Sequence, residues 1–330
     1  MPDLESRLEE FREDFQRVRS EVAKVLVGQE EVVRHTLIAL FAGGHCLLEG
    51  VPGLGKTLLV RTLAQVLELE YSRIQFTPDL MPADIIGTRL VVETDRGERR
   101  FEFQRGPIFG QIVLADEVNR ATPKTQSALL EAMQERQISV GRRTIRLDEP
   151  YCVMATQNPV EQEGTYPLPE AQLDRFLFKV IVGYPEVGEY KAILDRTTGA
   201  EVPEVTAVSS GPEIIRMREI VRSVPVPEAV QMDAIHLVVA TQPGSEHAPA
   251  MVGESVALGS SPRGAQGLIL AGKVNALLAG RYAVASEDLR AAAHDVLRHR
   301  VIVNFHGQSE GVTPDAIVDA VLSHVKPPAK

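Results

Sequence analysis

Cysteine is scarce, with Cys46 and Cys152 alone in a chain of 330 residues. Both sit inside apolar runs and read as small buried hydrophobes, which argues against a redox pair. No apolar run approaches the roughly 18 residues of a membrane span. Net charge is −10 with no basic block, which argues against a large dedicated nucleic-acid face, although a locally basic loop stays open. The eight histidines show no metal-ligand spacing, and His294 and His299 lie five apart on one predicted helix, off one face. The opening stretch MPDLESRLEEFREDFQRVRSEVAKV is charged and helical in pattern, unlike a signal peptide. There is no internal repeat and no low-complexity tract. These absences point to a cytoplasmic globular protein. The length suggests about two domains, and an apolar content of 44% suffices for a core in each.

What is present is most specific at residues 47 to 59, LLEGVPGLGKTLL. Gly50, Gly55, Lys56 and Thr57 fit the pattern G-x-x-x-x-G-K-[ST]. Glycines let backbone N–H groups close around a phosphate, and the helix that follows adds its positive dipole end. Lys56 would reach the β- and γ-phosphates and the Thr57 hydroxyl would ligate Mg²⁺. Taken alone, the stretch is also compatible with a glycine-rich turn carrying a surface lysine.

Leu4, Leu8, Phe11, Phe15 and Val18 recur at helical spacing. A VGQ turn, a helix from about Glu30 and a strand lead into the glycine loop; a helix follows it. YSRIQFTP, QIVLADE, YCVMATQNP and FLFKVIVGYP read as further strands, and PKTQSALLEAMQER as a helix with Thr122 as N-cap and Pro123 at its first position. Alternating strands and helices imply a mainly parallel sheet covered on both faces. RLVVETDRGERRFEF and QISVGRRTIRL interrupt this rhythm as β-hairpins, candidates for contacting a partner or mere decoration. After Tyr184-Pro185 nearly everything reads as helix. The expected organisation is an N-terminal helix over 1–26, an α/β core over 27–186, a small all-α domain over 187–325 and a disordered tail over 326–330.

QIVLADE delivers Asp116 and Glu117 at the carboxyl end of a strand, where open α/β sheets bind ligands. Asp116 would hold Mg²⁺, through water, and Glu117 would act as general base on the attacking water. Paired acids at a strand end are also common surface features. ATQNP would put Asn158 between Glu117 and the γ-phosphate, where an amide can donate and accept at once; Asn-Pro is equally a turn signal. LPEAQLDRF places Arg175 just before the last strand, and SSPRG places Arg263 beside a helix start. Phosphoryl transfer gains from cations set on developing charge.

The stretches LLEGVPGLGKT, QFTPDLMPADIIG, GPIFG, LADEVNRATPKTQSALLEAMQE, ATQNPVEQEGTYPLPEAQLDRF and SPRG together resemble the MoxR-type ATPases of the AAA+ superfamily. They cover most of residues 27 to 185 and, more sparsely, the helical part to about 300. The resemblance implies a P-loop αβα core with inserted β-hairpins, a small all-α lid, ATP and Mg²⁺ as ligands, and a hexameric homo-oligomeric ring. By it, Gly50, Val51, Pro52, Gly53, Leu54, Gly55, Lys56, Thr57 and Leu58 form the nucleotide loop and Val27, Gly28 and Gln29 the turn near the adenine. Asp116 and Glu117 become the acidic pair, Asn158 the first sensor, Arg175 an arginine finger given to a neighbouring subunit and Arg263 the second sensor. Arg120 faces a subunit seam. The nucleotide would then sit between one core, its own lid and the next subunit, with the lid moving against the core on hydrolysis. The family also implies chaperone-like remodelling of a protein client, often with a partner bearing a von Willebrand factor A domain. Two other readings stay open. One is a nucleic-acid motor, for which Arg96, Arg99, Arg100, Arg142, Arg143 and Arg146 make both hairpins basic. The other is a scaffold gated by nucleotide without use of turnover.

Overall fold

In a computed structural model, residues 2–93, 99–141, 143–160, 164–199 and 203–327 are described. The DRG turn with Arg96, the second-hairpin residue Arg142 and tail residues 328–330 lie outside them.

Two helices, α1 (Pro2–Val22) and α2 (Glu30–Phe41), precede β1 (Cys46–Glu49), and α3 (Lys56–Val66) and β2 (Tyr71–Gln75) follow it. A short α4 (Pro82–Ile86) leads into a hairpin of β3 (Gly87–Glu93) and β4 (Arg99–Arg105). Then come β5 (Ile112–Asp116), α5 (Pro123–Glu135), a second hairpin of β6 (Gln137–Val140) and β7 (Arg143–Arg146), and β8 (Cys152–Gln157). A single turn, α6 (Glu170–Leu173), precedes the last sheet strand, β9 (Phe178–Ile181). The remainder is helical: α7 (Val187–Thr198), α8 (Gly211–Ser223), α9 (Glu228–Val239), α10 (Ala250–Ser255), α11 (Pro262–Leu278), α12 (Ser286–Ala291), α13 (Ala293–Leu297), α14 (Phe305–Ser309) and α15 (Pro314–His324). Its one departure from helix, among the described residues, is a ribbon of β10 (Val256–Leu258) with β11 (Ile302–Val303).

Five parallel strands form the central sheet in the order β2-β5-β8-β1-β9. Side chains alternate between its faces, and the two apolar clusters divide accordingly. Cys46, Leu48, Ile112, Leu114, Cys152 and Met154 point into one cluster, and Leu47, Val113, Ala115, Val153 and Ala155 into the other. Both cysteines are therefore buried core residues, as their setting in apolar runs predicts.

The first cluster fixes the place of the C-terminal helices. It runs without a break from Phe11 and Phe15 on α1 through α2 and the sheet to Leu268, Leu289, Val296, Leu297 and Ile317. Phe41 of α2 meets Phe11 edge-on, with ring centroids 5.8 Å apart. Each such Val, Leu, Ile or Phe contributes about 1.5–3 kcal/mol when fully buried. The C-terminal helices are thus packed against the face of the sheet that α1, α2 and α3 cover, and swinging them off as a body would expose several of these side chains. That packing departs from the expectation of a lid hinged over its own nucleotide.

Parallel register decides which loops meet. Gly50, Asp116 and Asn158 each stand at or just beyond the carboxyl end of a neighbouring strand, so all three fall on one edge. His45 and Leu177 lie together at the opposite edge, where the Leu177 N–H donates to the His45 carbonyl at 2.9 Å.

Candidate nucleotide site and an arginine pocket

At the carboxyl edge, residues 52–58 enclose a cavity of about 350 Å³ together with Asp116, Glu117, Thr156, Gln157 and Asn158. Its glycines serve different ends. Gly53 and Gly55 have φ of +84° and +77°, and a Cβ on either would meet nothing within 4 Å. The loop thus takes a left-handed path that leaves its inner side clear, which suits close approach of a phosphate. Gly50 is small for packing, since a Cβ there would stand 2.5 Å from the Val182 carbonyl oxygen.

Lys56 opens α3, and its Nζ donates to the carbonyls of Gly50 and Val51 at 2.5 and 2.8 Å. Burial lowers its pKa, while Asp116 and Glu117 act in the opposite sense. An ammonium held only by loop carbonyls beside an open, glycine-lined cavity fits an incoming phosphate group. The VGQ turn abuts the loop: Gln29 Nε2 donates to the Leu54 carbonyl at 2.6 Å, and its Oε1 is buried with no partner among the described residues. Gly28, at φ +72°, lies against Glu189 of α7. Val27, Gly28 and Gln29 thus stand beside the loop.

Thr156 organises the acidic pair. Its Oγ1 donates to Asp116 Oδ1 at 2.6 Å and accepts from the Glu117 N–H at 2.8 Å. Glu117 adopts φ +55°, unusual for a residue with a Cβ, and this contact holds it there. Asp116 Oδ2 accepts from Arg73 Nη2 at 2.6 Å, and Arg73 also donates to Gln75 Oε1. Gln75 Nε2 and Arg120 Nη1 each donate to Glu117 Oε2 at 3.0 Å. A chain of bonds therefore links both carboxylates across the ends of β2 and β5. Asn158 is buried, and its Oδ1 accepts from the Val160 N–H at 3.1 Å, an Asx-type turn that fixes the side chain in the wall of the cavity that Glu117 also lines. The Thr57 hydroxyl and the Asp116 carboxylate are hard oxygen donors of the kind Mg²⁺ takes. Thr156, Arg73 and Gln75 escaped sequence reasoning. Each sits inside a strand pattern, and only the register across β2, β5 and β8 brings them to the acids.

Arg175 and Arg263 do not join this cavity. They line a second pocket of about 230 Å³ at the amino edge of the sheet, with Arg136, Asp174 and Arg300. The reason is topological. Arg175 precedes β9, whose Phe178 pairs with Cys46, so it must lie where β1 begins, while the glycine loop lies where β1 ends. Arg175 Nη1 donates to the Leu130 carbonyl at 2.6 Å. Arg263, at the start of α11, stands 3.9 Å from Asp174 Oδ2. Arg263, expected as the second sensor, thus stands apart from the glycine-loop cavity of its own chain.

A larger groove of about 1080 Å³ runs between α1 and helices α11 and α12, lined by side chains of both signs. It has no glycine loop and no paired acids at strand ends, so the smaller cavity is the candidate site. Among the described residues there is no cluster of three metal-ligating side chains and no helix long and apolar enough to cross a membrane.

Comparisons with known proteins place the chain in a family. Residues 45–178 match the family model described as the ATPase family associated with various cellular activities (AAA), and residues 249–321 match the AAA lid domain. The chain is 44% identical over 314 residues to a Mycobacterium tuberculosis protein named Chaperone MoxR1, covering 95% of this chain and 82% of that one. A Bacillus subtilis protein, YeaC, is 42% identical over 310 residues, covering 94% and 93%. Protein MoxR of Methylorubrum extorquens is 31% identical, covering 98% of each. A crystal structure of a Cytophaga hutchinsonii protein, named there as a candidate ATPase, superposes with a TM-score of 0.92 at 40% identity and covers 99% of both chains.

Proposed function

Because this chain belongs to the MoxR family of AAA+ ATPases, we propose that it works in the cytoplasm as a homo-oligomeric ring, hexameric by its family, and uses ATP hydrolysis to remodel or activate a protein client. The observation that carries the ring is the separation of the two pockets. The glycine loop, Asp116, Glu117 and Asn158 line one cavity, whereas Arg175 and Arg263 stand together at the other edge of the sheet. A complete site then needs two copies in head-to-tail contact, an arrangement that closes into rings.

Within that site, the N–H groups of residues 50–58 and Lys56 bind the phosphates, and Val27 to Gln29 flank the base. Thr57 and Asp116 would hold Mg²⁺, whose chemistry there would be to neutralise phosphate charge. Glu117 takes the proton of the attacking water, which Asn158 helps to orient. Charge developing on the transferred phosphoryl group meets Arg175 and Arg263 of the adjoining subunit. Arg120, bonded to Glu117, lets occupancy at the seam bear on the base. The division into core (27–186) and lid (187–325) belongs to the same proposal, with core and lid travelling as one packed body and relative motion concentrated between subunits.

The client reading is supported by the first hairpin. Val91 and Phe101 pair directly across β3 and β4 and are 58% and 76% exposed, with Arg99 and Arg100 alongside. A projecting apolar pair is suited to protein surface. A partner bearing a von Willebrand factor A domain is the first candidate. The test is to purify Glu117→Gln protein with ATP from its own cells, treat it with nuclease and identify what remains bound and leaves when ATP is removed. A protein supports remodelling. Nucleic acid bound before nuclease treatment, with no protein, replaces this reading by the motor, and a Glu117→Gln protein that sustains the cellular function replaces it by the scaffold.

A further inference from the structure

Next to the arginine pocket lies a buried cation that the proposed mechanism does not use. The Arg300 side chain is 3% exposed. Its Nε donates to Asp174 Oδ1 at 2.8 Å, its Nη2 to the carbonyls of Asp174 and Phe176 at 3.1 and 2.7 Å, and its Nη1 to those of Leu177 and Val296. Arg300 thereby joins the end of α13 to the segment that carries Arg175. The other oxygen of the same carboxylate faces the lid: Asp174 Oδ2 accepts from Ser261 Oγ at 2.9 Å and faces Arg263. Ser261 in turn caps α11, its Oγ accepting from the Arg263 N–H at 3.1 Å. One carboxylate is therefore covalently adjacent to Arg175 and bonded to the residue that starts the helix of Arg263. Its charge is balanced from the buried side by Arg300, so the exposed Arg263 is not drawn fully onto it and stays 3.9 Å away.

We propose that Asp174 is a positioning residue that sets the separation of Arg175 and Arg263, so that both reach one phosphate group in the adjoining subunit, with Arg300 as its buried anchor. This rests on the shared-site reading above. A carboxylate serving only to fasten lid to core would affect the subunit that carries it. A positioning residue acts on the neighbour's turnover.

The experiment uses the full chain. Asp174→Asn keeps the size and an acceptor for Ser261 but removes the charge. Its kcat should fall about 10- to 100-fold, the scale of an ångström-sized displacement of a catalytic group. KM and equilibrium binding of ATP should stay within about twofold, as for an interaction made only in the transition state. Mixed in equal amounts with Glu117→Gln, it should regain about a quarter of wild-type turnover, because one random seam in four then has an intact base and an intact arginine face. Mixed with Arg175→Ala it should regain nothing, since both lesions lie on the same face. If Arg175→Ala is rescued by Glu117→Gln and Asp174→Asn is not, Asp174 is a local fastening and the proposal is overturned. If neither is rescued, the shared-site reading fails and takes the proposal with it. Ser261→Ala leaves the Asp174–Arg300 pair intact and covers the case in which Asp174→Asn does not fold. It should lower kcat without weakening ATP binding and be rescued by Glu117→Gln, and a wild-type kcat in that variant overturns the proposal as well.

Discussion

Mixed rings of Arg175→Ala and Arg263→Ala protein should recover almost no ATPase activity, and the reason lies in the sheet. β9 has four residues and runs parallel to β1. At about 3.3 Å per residue it separates the amino edge from the carboxyl edge by about 13 Å. That is roughly twice the ~7 Å length of an extended arginine side chain built from ordinary bond lengths. Arg175 therefore cannot reach the glycine loop of its own chain, Arg263 lines the same distant pocket, and on the proposed shared site both serve the next chain. A working seam then needs both arginines from a single subunit, and in this mixture every subunit lacks one. Activity should remain at the level of the separate variants, on the order of 10³-fold below wild type for loss of an arginine finger. Had Arg263 acted on its own subunit, one seam in four would combine a correct core with a correct neighbour, and about a quarter of the activity would return. The assay is steady-state phosphate release across mixing ratios, with co-purification of two tags to show that mixed rings form. Arg175→Ala with Glu117→Gln is the positive control and should give about a quarter. Recovery near a quarter in the first mixture refutes the assignment of both arginines to one face.

Lys56→Ala should abolish detectable binding of a fluorescent ATP analogue while leaving the melting temperature close to wild type, because Lys56 bonds only loop carbonyls; unchanged binding removes Lys56 from its assigned role. Gly50→Ala should lower unfolding free energy by about 1–3 kcal/mol in urea titrations, as overpacking does, since the new Cβ would press on the Val182 carbonyl oxygen. His45 is buried between the Met133 carbonyl and the Val153 N–H, and burial holds its pKa down to about 4 from 6.5. The unfolded chain then binds more protons between those two values, so stability is full above pH 6.5 and falls as pH drops towards 4. The loss should be about 2 kcal/mol at pH 5, seen as a steeper pH dependence for wild type than for His45→Gln. Equal slopes would show that His45 contributes nothing to acid sensitivity.

The candidate cavity was largely legible because its signals are local. Glycines that need positive φ, a lysine at a helix start and acids at the end of an apolar strand each follow from a few consecutive residues and the period of the strand. Both hairpins were legible for the same reason. The partners of the acids were not. Thr156, Arg73 and Gln75 become functional neighbours only through the order and register of β2, β5 and β8, which alternation within each strand does not encode. The placing of the lid was equally hidden, since helical periodicity shows that α11 has an apolar stripe and not which surface covers it.

The sequence alone marked the residues whose chemistry suits a phosphate, a metal ion and a water, because that chemistry is written in residue type and spacing. The tertiary structure alone decided which of them share a site. Arg175 and Arg263 are 88 positions apart, and Asp174 meets Arg300 across 126 positions. A parallel strand order and a continuous apolar cluster bring these groups to the amino edge of the sheet, away from the nucleotide loop of their own chain. Long-range packing sets that placement, and the pattern within any single segment cannot specify it.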